Sequence, residues 1–250
     1  MQIKTHLLIG LTSLVSINVV ANEKKTIEPQ QFLTFPSDRT ASLVLECAES
    51  LWEHDEDKGV TKFTLTPEKN RKRCEFAIQG LLQRDVAFRL SFEFKVNELY
   101  DDPVNWHSYF QFHSFPDEGE QWRCPVSALE SRGGTLRMFN RWDEQHISST
   151  INGTCANDGN SIQARTLFSE RTFNVGSWNE FTVEGVMSTN DEGHISVSLN
   201  DELLSEVVGP NTFNDDREPY FKLGIYKPTR WQRMIILHYR SEMWSLSKLC

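Results

Sequence analysis

From residue 60 onward, apolar and polar residues alternate with a period of two in one short segment after another. Lys62-Phe63-Thr64-Leu65-Thr66 is the first clear case. Arg73–Ile78 sets Cys74, Phe76 and Ile78 against Arg73, Glu75 and Ala77. Phe88–Val96 sets Phe88, Leu90, Phe92 and Phe94 against Arg89, Ser91, Glu93 and Lys95. The same period predicts strands at Tyr109–Phe115, Thr135–Asn140, Asn179–Met187, His194–Leu199, Tyr220–Tyr226, Met234–Tyr239 and Met243–Leu246. Turn-forming clusters separate them: Asp101-Asp102-Pro103, Gly133-Gly134, Asn157-Asp158-Gly159, Asn190–Gly193 and Asn200-Asp201. No long segment carries a helical period. About ten short strands at such spacing predict an all-β chain, an antiparallel β-sandwich of jelly-roll type with an open groove on its concave sheet. A single domain over residues 41–250 is the simplest organisation, with the looser stretch 116–176 supplying groove walls. Residues 41–52 read as a short helix or a strand, and 22–40 as a polar leader.

The first 21 residues fall outside this pattern. Lys4 precedes an apolar run from Leu7 to Val20, and Val19-Val20-Ala21 offers a small-residue cleavage site before Asn22. That is the form of a secretory signal peptide, and the run is too short and too broken by polar residues to read as a membrane span. A secreted or periplasmic protein is expected.

The whole chain carries 26 basic and 35 acidic side chains, a net charge of −9. Loss of residues 1–21 removes only Lys4 and leaves −10. Such a chain is no general nucleic-acid binder, and an acidic ligand would need positive charge concentrated locally. No membrane partner is implied, and a monomer is expected. Export permits disulfides among Cys47, Cys74, Cys124, Cys155 and Cys250, with one thiol left over. The favoured pairs are Cys124–Cys155 across a loop excursion and Cys47–Cys250 at the chain ends, with Cys74 as a small core residue. No Cys/His cluster has metal-ligand spacing, and the acidic turn Glu53–Gly59 lacks a calcium-loop pattern. No cofactor is expected, with structural calcium left open.

Candidate chemistry follows from the polar faces. Tyr220-Phe221-Lys222-Leu223-Gly224-Ile225-Tyr226 turns Phe221, Leu223 and Ile225 one way and Tyr220, Lys222, Gly224 and Tyr226 the other, with Gly224 leaving room for a ligand to approach the backbone. Tyr109, Gln111 and His113 share one face of their strand, as do Arg73 and Glu75 of theirs. Joined in one sheet, these faces would offer cations, an amide, an imidazole and phenols on one surface. That set suits β-elimination on a uronic acid polymer. Gln, Arg or Lys would neutralise the carboxylate so that C5 becomes acidic, and His and Tyr would serve as base and acid. Trp106, Trp122, Trp142 and Trp231 are candidates for stacking on sugar rings.

The same residues resemble a known group. Gln111-Phe112-His113 resembles the Gln-x-His motif of the alginate lyase and heparin lyase I-like polysaccharide lyases, and Tyr220–Tyr226 their Tyr-Phe-Lys-x-Gly-x-Tyr motif. Arg73-Cys74-Glu75-Phe76 resembles their Arg-x-Glu-Leu element, with Phe for Leu. Gly209–Asp215 and Ser177–Phe181 are most similar to the glucuronan lyase and heparin lyase I-like branch. The resemblance implies a jelly roll that cleaves uronate polymers of the glucuronan, alginate or glycosaminoglycan class. Carried over by motif, His113 and Tyr226 are base and acid, while Gln111, Arg73 and Lys222 act on the carboxylate. Glu75, Tyr109, Tyr220, Arg137 and Arg141 are assigned to substrate binding. Two rival readings stand beside it: a lectin-like sandwich that holds glycan without cutting it, and a glycoside hydrolase. The latter needs a carboxylate pair, for which Glu75 and Glu93 are the nearest candidates.

Overall fold

A computed structural model describes residues 33–68, 71–100, 102–228 and 233–247, with side chains to residue 240. The signal-peptide segment, Trp231 and Cys250 lie outside the described residues. Fourteen strands form two seven-stranded antiparallel sheets packed face to face. The first, the groove sheet, runs β1 (Ser42–Leu45), β4 (Arg73–Gln79), β13 (Tyr220–Tyr226), β6 (Trp106–His113), β7 (Ser127–Arg132), β8 (Thr135–Trp142) and β9 (Gln163–Arg171). The second, the back sheet, runs β12 (Glu202–Val208), β11 (His194–Leu199), β10 (Asn179–Val186), β5 (Ala87–Val96), β14 (Ile235–Ser247), β3 (Val60–Leu65) and β2 (Trp52–Asp55). Among the described residues no helix is long and apolar enough to cross a membrane.

The inner faces meet in an aromatic core. Phe63, Phe76, Phe92, Phe94, Phe110, Phe112, Phe181, Phe221 and Tyr239 are fully buried. Several pack edge to face, as Phe110 does on Phe112 at 4.7 Å between centroids and Phe63 on Phe76 at 5.0 Å. The predicted alternation holds on β3, β4, β5 and β13, whose apolar positions all point inward.

Three expectations are corrected, and the alternatives at residues 41–52 are resolved. The segment 116–176 is not only wall, because β7, β8 and β9 extend the groove sheet through it. The two predicted strands at 234–239 and 243–246 form one strand, β14, whose register slips between Arg240 and Ser245. Residues 41–52 hold a strand and a 3₁₀ turn, Glu49–Leu51. The pairing Cys47–Cys250 is overturned by a Cys47–Cys74 disulfide, with Cα atoms 4.7 Å apart, which ties the end of β1 to β4. Cys124–Cys155 forms as expected and joins the β6–β7 loop to the β8–β9 loop.

A bulge in β6 also matters. Opposite β7 the register slips between Ser108, which pairs with Glu130, and Phe110, which pairs with Leu129. The extra residue is Tyr109. Its side chain turns into the core and is 1% exposed, packed on Phe94 and hydrogen-bonded to His107 at 2.7 Å. Tyr109 is therefore not a substrate-binding residue of the groove. The back sheet reaches across to hold this irregularity, since the Tyr239 hydroxyl donates to the Tyr109 carbonyl and accepts from the Gly224 amide at 3.1 Å.

Candidate active site

The outer face of the groove sheet carries an open cavity of ≈ 980 Å³. Its floor comes from β4 (Arg73), β13 (Tyr220, Lys222, Tyr226), β6 (Ser108, Gln111, His113), β7 (Ala128, Glu130) and β8 (Arg137, Phe139, Arg141). Register brings the predicted set together. Lys222 sits opposite Gln111 on β6 and Ala77 on β4; Tyr220 sits opposite His113, and Tyr226 opposite Arg73. Because β13 lies between β4 and β6, its outward residues are the middle row of the floor.

Gly224 belongs to this row, but not for the reason its sequence position suggests. Its φ is +142°, and a Cβ there would stand 2.3 Å from the Cys74 carbonyl oxygen and 2.5 Å from Glu75 Cα. The missing side chain lets β13 close on β4. It makes no room for a ligand.

The floor is a network of charges. Gln111 Nε2 donates to Glu75 Oε1 at 2.5 Å. Glu75 is buried beneath the floor and does not line the cavity, so it acts on Gln111 and not on a bound chain. Burial raises its pKa to about 7, against the pull of Lys222 and Arg73. Above the floor, Glu46 Oε2 accepts from Lys222 Nζ at 2.7 Å and from Arg73 at 2.9 Å. Burial works to raise the Glu46 pKa, but these two cations outweigh it and hold the carboxylate below its ordinary value.

His113 is stacked on Tyr220, 5.5 Å between centroids, and meets the edge of Trp122. Its Nδ1 lies 3.1 Å from the Ser114 carbonyl and 3.0 Å from the Ser114 amide. The two contacts call for opposite tautomers: the Nδ1–H form donates to the carbonyl and leaves Nε2 as the basic nitrogen, whereas the Ser114 amide donates to an unprotonated Nδ1. Burial, then Lys222 and Arg73, lower its pKa to about 4, so the ring is neutral at physiological pH. Tyr226 is half-buried, stacked on Trp106 at 5.7 Å, with the Arg73 guanidinium 5.0 Å from its ring centre. The Tyr220 phenol is pushed upward by burial and the nearby Glu46 and Glu75, which suits packing and hydrogen bonding rather than proton transfer.

At the β7–β8 end, Arg137 donates to Glu130 Oε2 through Nε at 2.8 Å and a terminal nitrogen at 2.6 Å. Arg141 stacks on Phe139 at 3.8 Å and donates to the Pro125 carbonyl at 3.0 Å. Burial, with Arg137 adding to it, lowers the Arg141 pKa to about 10, which still leaves it charged at neutral pH. The rim here is stiff. Cys124 and Cys155 line it, and the buried Arg123 donates to Glu120, Ser148 and Asp215. Asp117, Glu120 and Asp215 bring carboxylate oxygens within 4.8 Å of one another, yet the Arg123 guanidinium already supplies the positive charge to two of them. Trp106 and Trp122 line the cavity, with Trp122 60% exposed, whereas Trp142 is covered by Arg165 and does not.

Sequence reasoning missed Glu46, Ser108 and Glu130. Glu46 falls after a four-residue edge strand with no legible period, and its partner Lys222 is 176 positions away. Its one local signal is the adjacent Cys47.

Known proteins share this architecture. The endo-β-1,4-glucuronan lyase of the fungus Trichoderma reesei superposes with a TM-score of 0.60 at 13% identity, covering 86% of this chain and 90% of that one. A marine alginate lyase of polysaccharide lyase family 7 from Zobellia galactanivorans gives 0.50 at 10% identity, covering 81% and 82%. The family-7 alginate lyase A1-II′ gives 0.51 at 15% identity, covering 80% and 83%. No curated protein sequence shows significant similarity to the chain. The polysaccharide lyase family, however, matches residues 51–243, a span that contains every floor residue from β4 to β13. On that match, over most of its length, the chain belongs to the polysaccharide lyase family.

Proposed function

We propose that this lyase cleaves a uronic-acid-containing polysaccharide by β-elimination in the groove, using His113, Tyr226, Gln111, Arg73 and Lys222. The observation that carries the reading is the convergence of Lys222 and Arg73 on a single carboxylate oxygen, that of Glu46, inside an open groove lined also by His113 and Tyr226. These cations are placed to hold a carboxylate, which is what elimination requires of them. The C5 proton of a uronate becomes removable only when negative charge growing on the adjacent carboxylate is stabilised. Gln111, fixed by Glu75, would supply a further N–H to the same group.

The proton path then has two ends. A base takes the C5 proton, the C4–O4 bond breaks as the C4–C5 double bond forms, and an acid protonates the departing O4. His113, neutral and with Nε2 basic in the Nδ1–H tautomer, is the base for one C5 configuration. Tyr226 is the acid, and serves as base too for the other. Arg137 and Arg141 would hold carboxylates of neighbouring units, and Trp106 and Trp122 the sugar faces. The fold shared with a glucuronan lyase makes glucuronan the first polymer to test, followed by alginate and glycosaminoglycans. The enzyme would act outside the cytoplasm as a monomer, exported by residues 1–21, in keeping with its two disulfides. Export is checked by sequencing the N-terminus of the secreted protein, expected at Asn22.

The decisive experiment is the ultraviolet absorbance of the unsaturated product, followed with folded protein on this panel. A rise with at least one uronate polymer is expected. No rise on any of them overturns the reading, and retained binding without a rise would favour a glycan-holding sandwich.

A further inference from the structure

Lys222 is buried beneath Glu46. The lysine side chain is 4% exposed and the glutamate 25%, and their contact is 2.7 Å. Arg73, at 40%, flanks the same carboxylate oxygen. From the groove, the first charge met above Lys222 is therefore negative. A polymer carboxylate arriving there meets Glu46 before it meets the ammonium, and like charges at that range repel.

We infer that Glu46 is a specificity-determining residue: an internal carboxylate that occupies the seat of the substrate carboxylate and gives it up only in exchange for another. The inference rests on the uronate reading of the groove. The exchange is confined to one side chain. The Glu46 amide donates to the Glu75 carbonyl at 2.8 Å, and the next residue, Cys47, is bonded to Cys74 between Arg73 and Glu75. Those two ties fix the main chain, so release is a rotation of the Glu46 side chain toward solvent, within the ordinary set of rotamers. A uronate then replaces one carboxylate with another on Lys222 and Arg73. A neutral hexose offers the uncovered ammonium hydroxyl oxygens but no counter-charge, so the buried cation would lose its ion pair, at a cost. Glu46 thus competes with an incoming carboxylate for Lys222 and Arg73, and gives way only to a ligand that brings a carboxylate of its own.

The test compares wild type with Glu46→Gln and Glu46→Ala, each checked to be fully folded at the assay temperature. Initial rates on the cleaved polymer should show KM falling by about two- to fivefold, the range expected for breaking a partly exposed ion pair. Free glucuronate and glucose are then titrated into each protein and binding followed by NMR. Glucuronate should bind more tightly to the variants, while glucose, which brings no carboxylate to this seat, should bind about equally to all three. If KM rises, or if glucuronate binds equally to all three proteins, Glu46 is only a brace for its cations and the inference fails. Should the wild type cleave no uronate polymer, the proposed function fails by itself, and the binding titrations still decide the role of Glu46.

Discussion

The two ends of the groove each pair a glutamate with a basic residue, arginine at one and lysine at the other, and they stack the pair in opposite orders. On β7 and β8 the carboxylate lies underneath: Glu130 is 5% exposed and Arg137 above it 31%. At β4 and β13 the cation lies underneath, with Lys222 covered by Glu46. The first arrangement presents a guanidinium already fixed and oriented, ready to accept an anion with no rearrangement. The second presents an anion, and becomes a cationic seat only after a movement. The difference separates a place to hold the chain from a place where binding a particular group changes the site. In the proposed mechanism the chemistry belongs to the second end, where His113, Gln111 and Tyr226 line the cavity with Lys222.

Substitutions can break this contrast. The largest effect is expected at Tyr226. Tyr226→Phe removes the proposed proton donor and keeps the stacking on Trp106, so kcat should fall by about 10²- to 10⁴-fold with KM little changed. Survival of activity would remove Tyr226 from proton transfer. Lys222→Met should cost about 10²- to 10³-fold in kcat, since charge developing on the carboxylate loses a donor. At the other end, Arg137→Met should act mainly on KM, raising it by about tenfold, and should also lower the thermal midpoint because Glu130 is left buried and unpaired. Arg137→Met with Glu130→Met should recover the midpoint and leave KM high. A full recovery of KM would show that Arg137 does not meet the polymer.

The smallest effects lie in pH. His113 has a depressed pKa of about 4, so the acid limb of kcat/KM due to this base should fall near pH 4, well below an ordinary histidine at 6.5. Glu75 shifts the opposite way, from 4.5 to about 7. A raised folded-state pKa means the native protein binds that proton more tightly than the unfolded chain. Its contribution is present below pH 4.5 and is lost as pH rises through 7. Glu75→Gln should therefore gain about 2–4 °C in thermal midpoint relative to wild type between pH 5 and pH 8. A constant difference across that range would mean that Glu75 does not titrate there.

Much of the central floor was legible because β13, β4 and the outer half of β6 obey a strict alternation, with one face fit only for a core. Phe221, Leu223 and Ile225 could not face water, so Tyr220, Lys222 and Tyr226 had to face the other way. Tyr109 shows where that logic stops. One bulged residue, the extra one opposite β7, reverses the face of its neighbours, and a Tyr239 hydroxyl from the other sheet holds it there. The strand β7 gave no periodic signal because Ser127 to Ser131 are buried on both faces, so small and polar residues alternate with nothing. Glu46 was invisible for a third reason. Its role depends on a disulfide to β4 and a contact with β13, neither of which leaves a trace in local pattern.

The position of β13 in its sheet has a consequence for how activity arises. Gly224 pairs with Glu75, and Lys222 with Gln111, so the floor joins segments more than a hundred positions apart, and the strand at its centre is among the last in the chain. Contacts of such long range form late and slowly in folding. No N-terminal fragment ending before β13 can possess a partial site, because β4 and β6 meet only through it. Catalysis is thus all-or-none with respect to chain completion, and enzyme activity recovered during refolding should rise together with the formation of the whole sandwich.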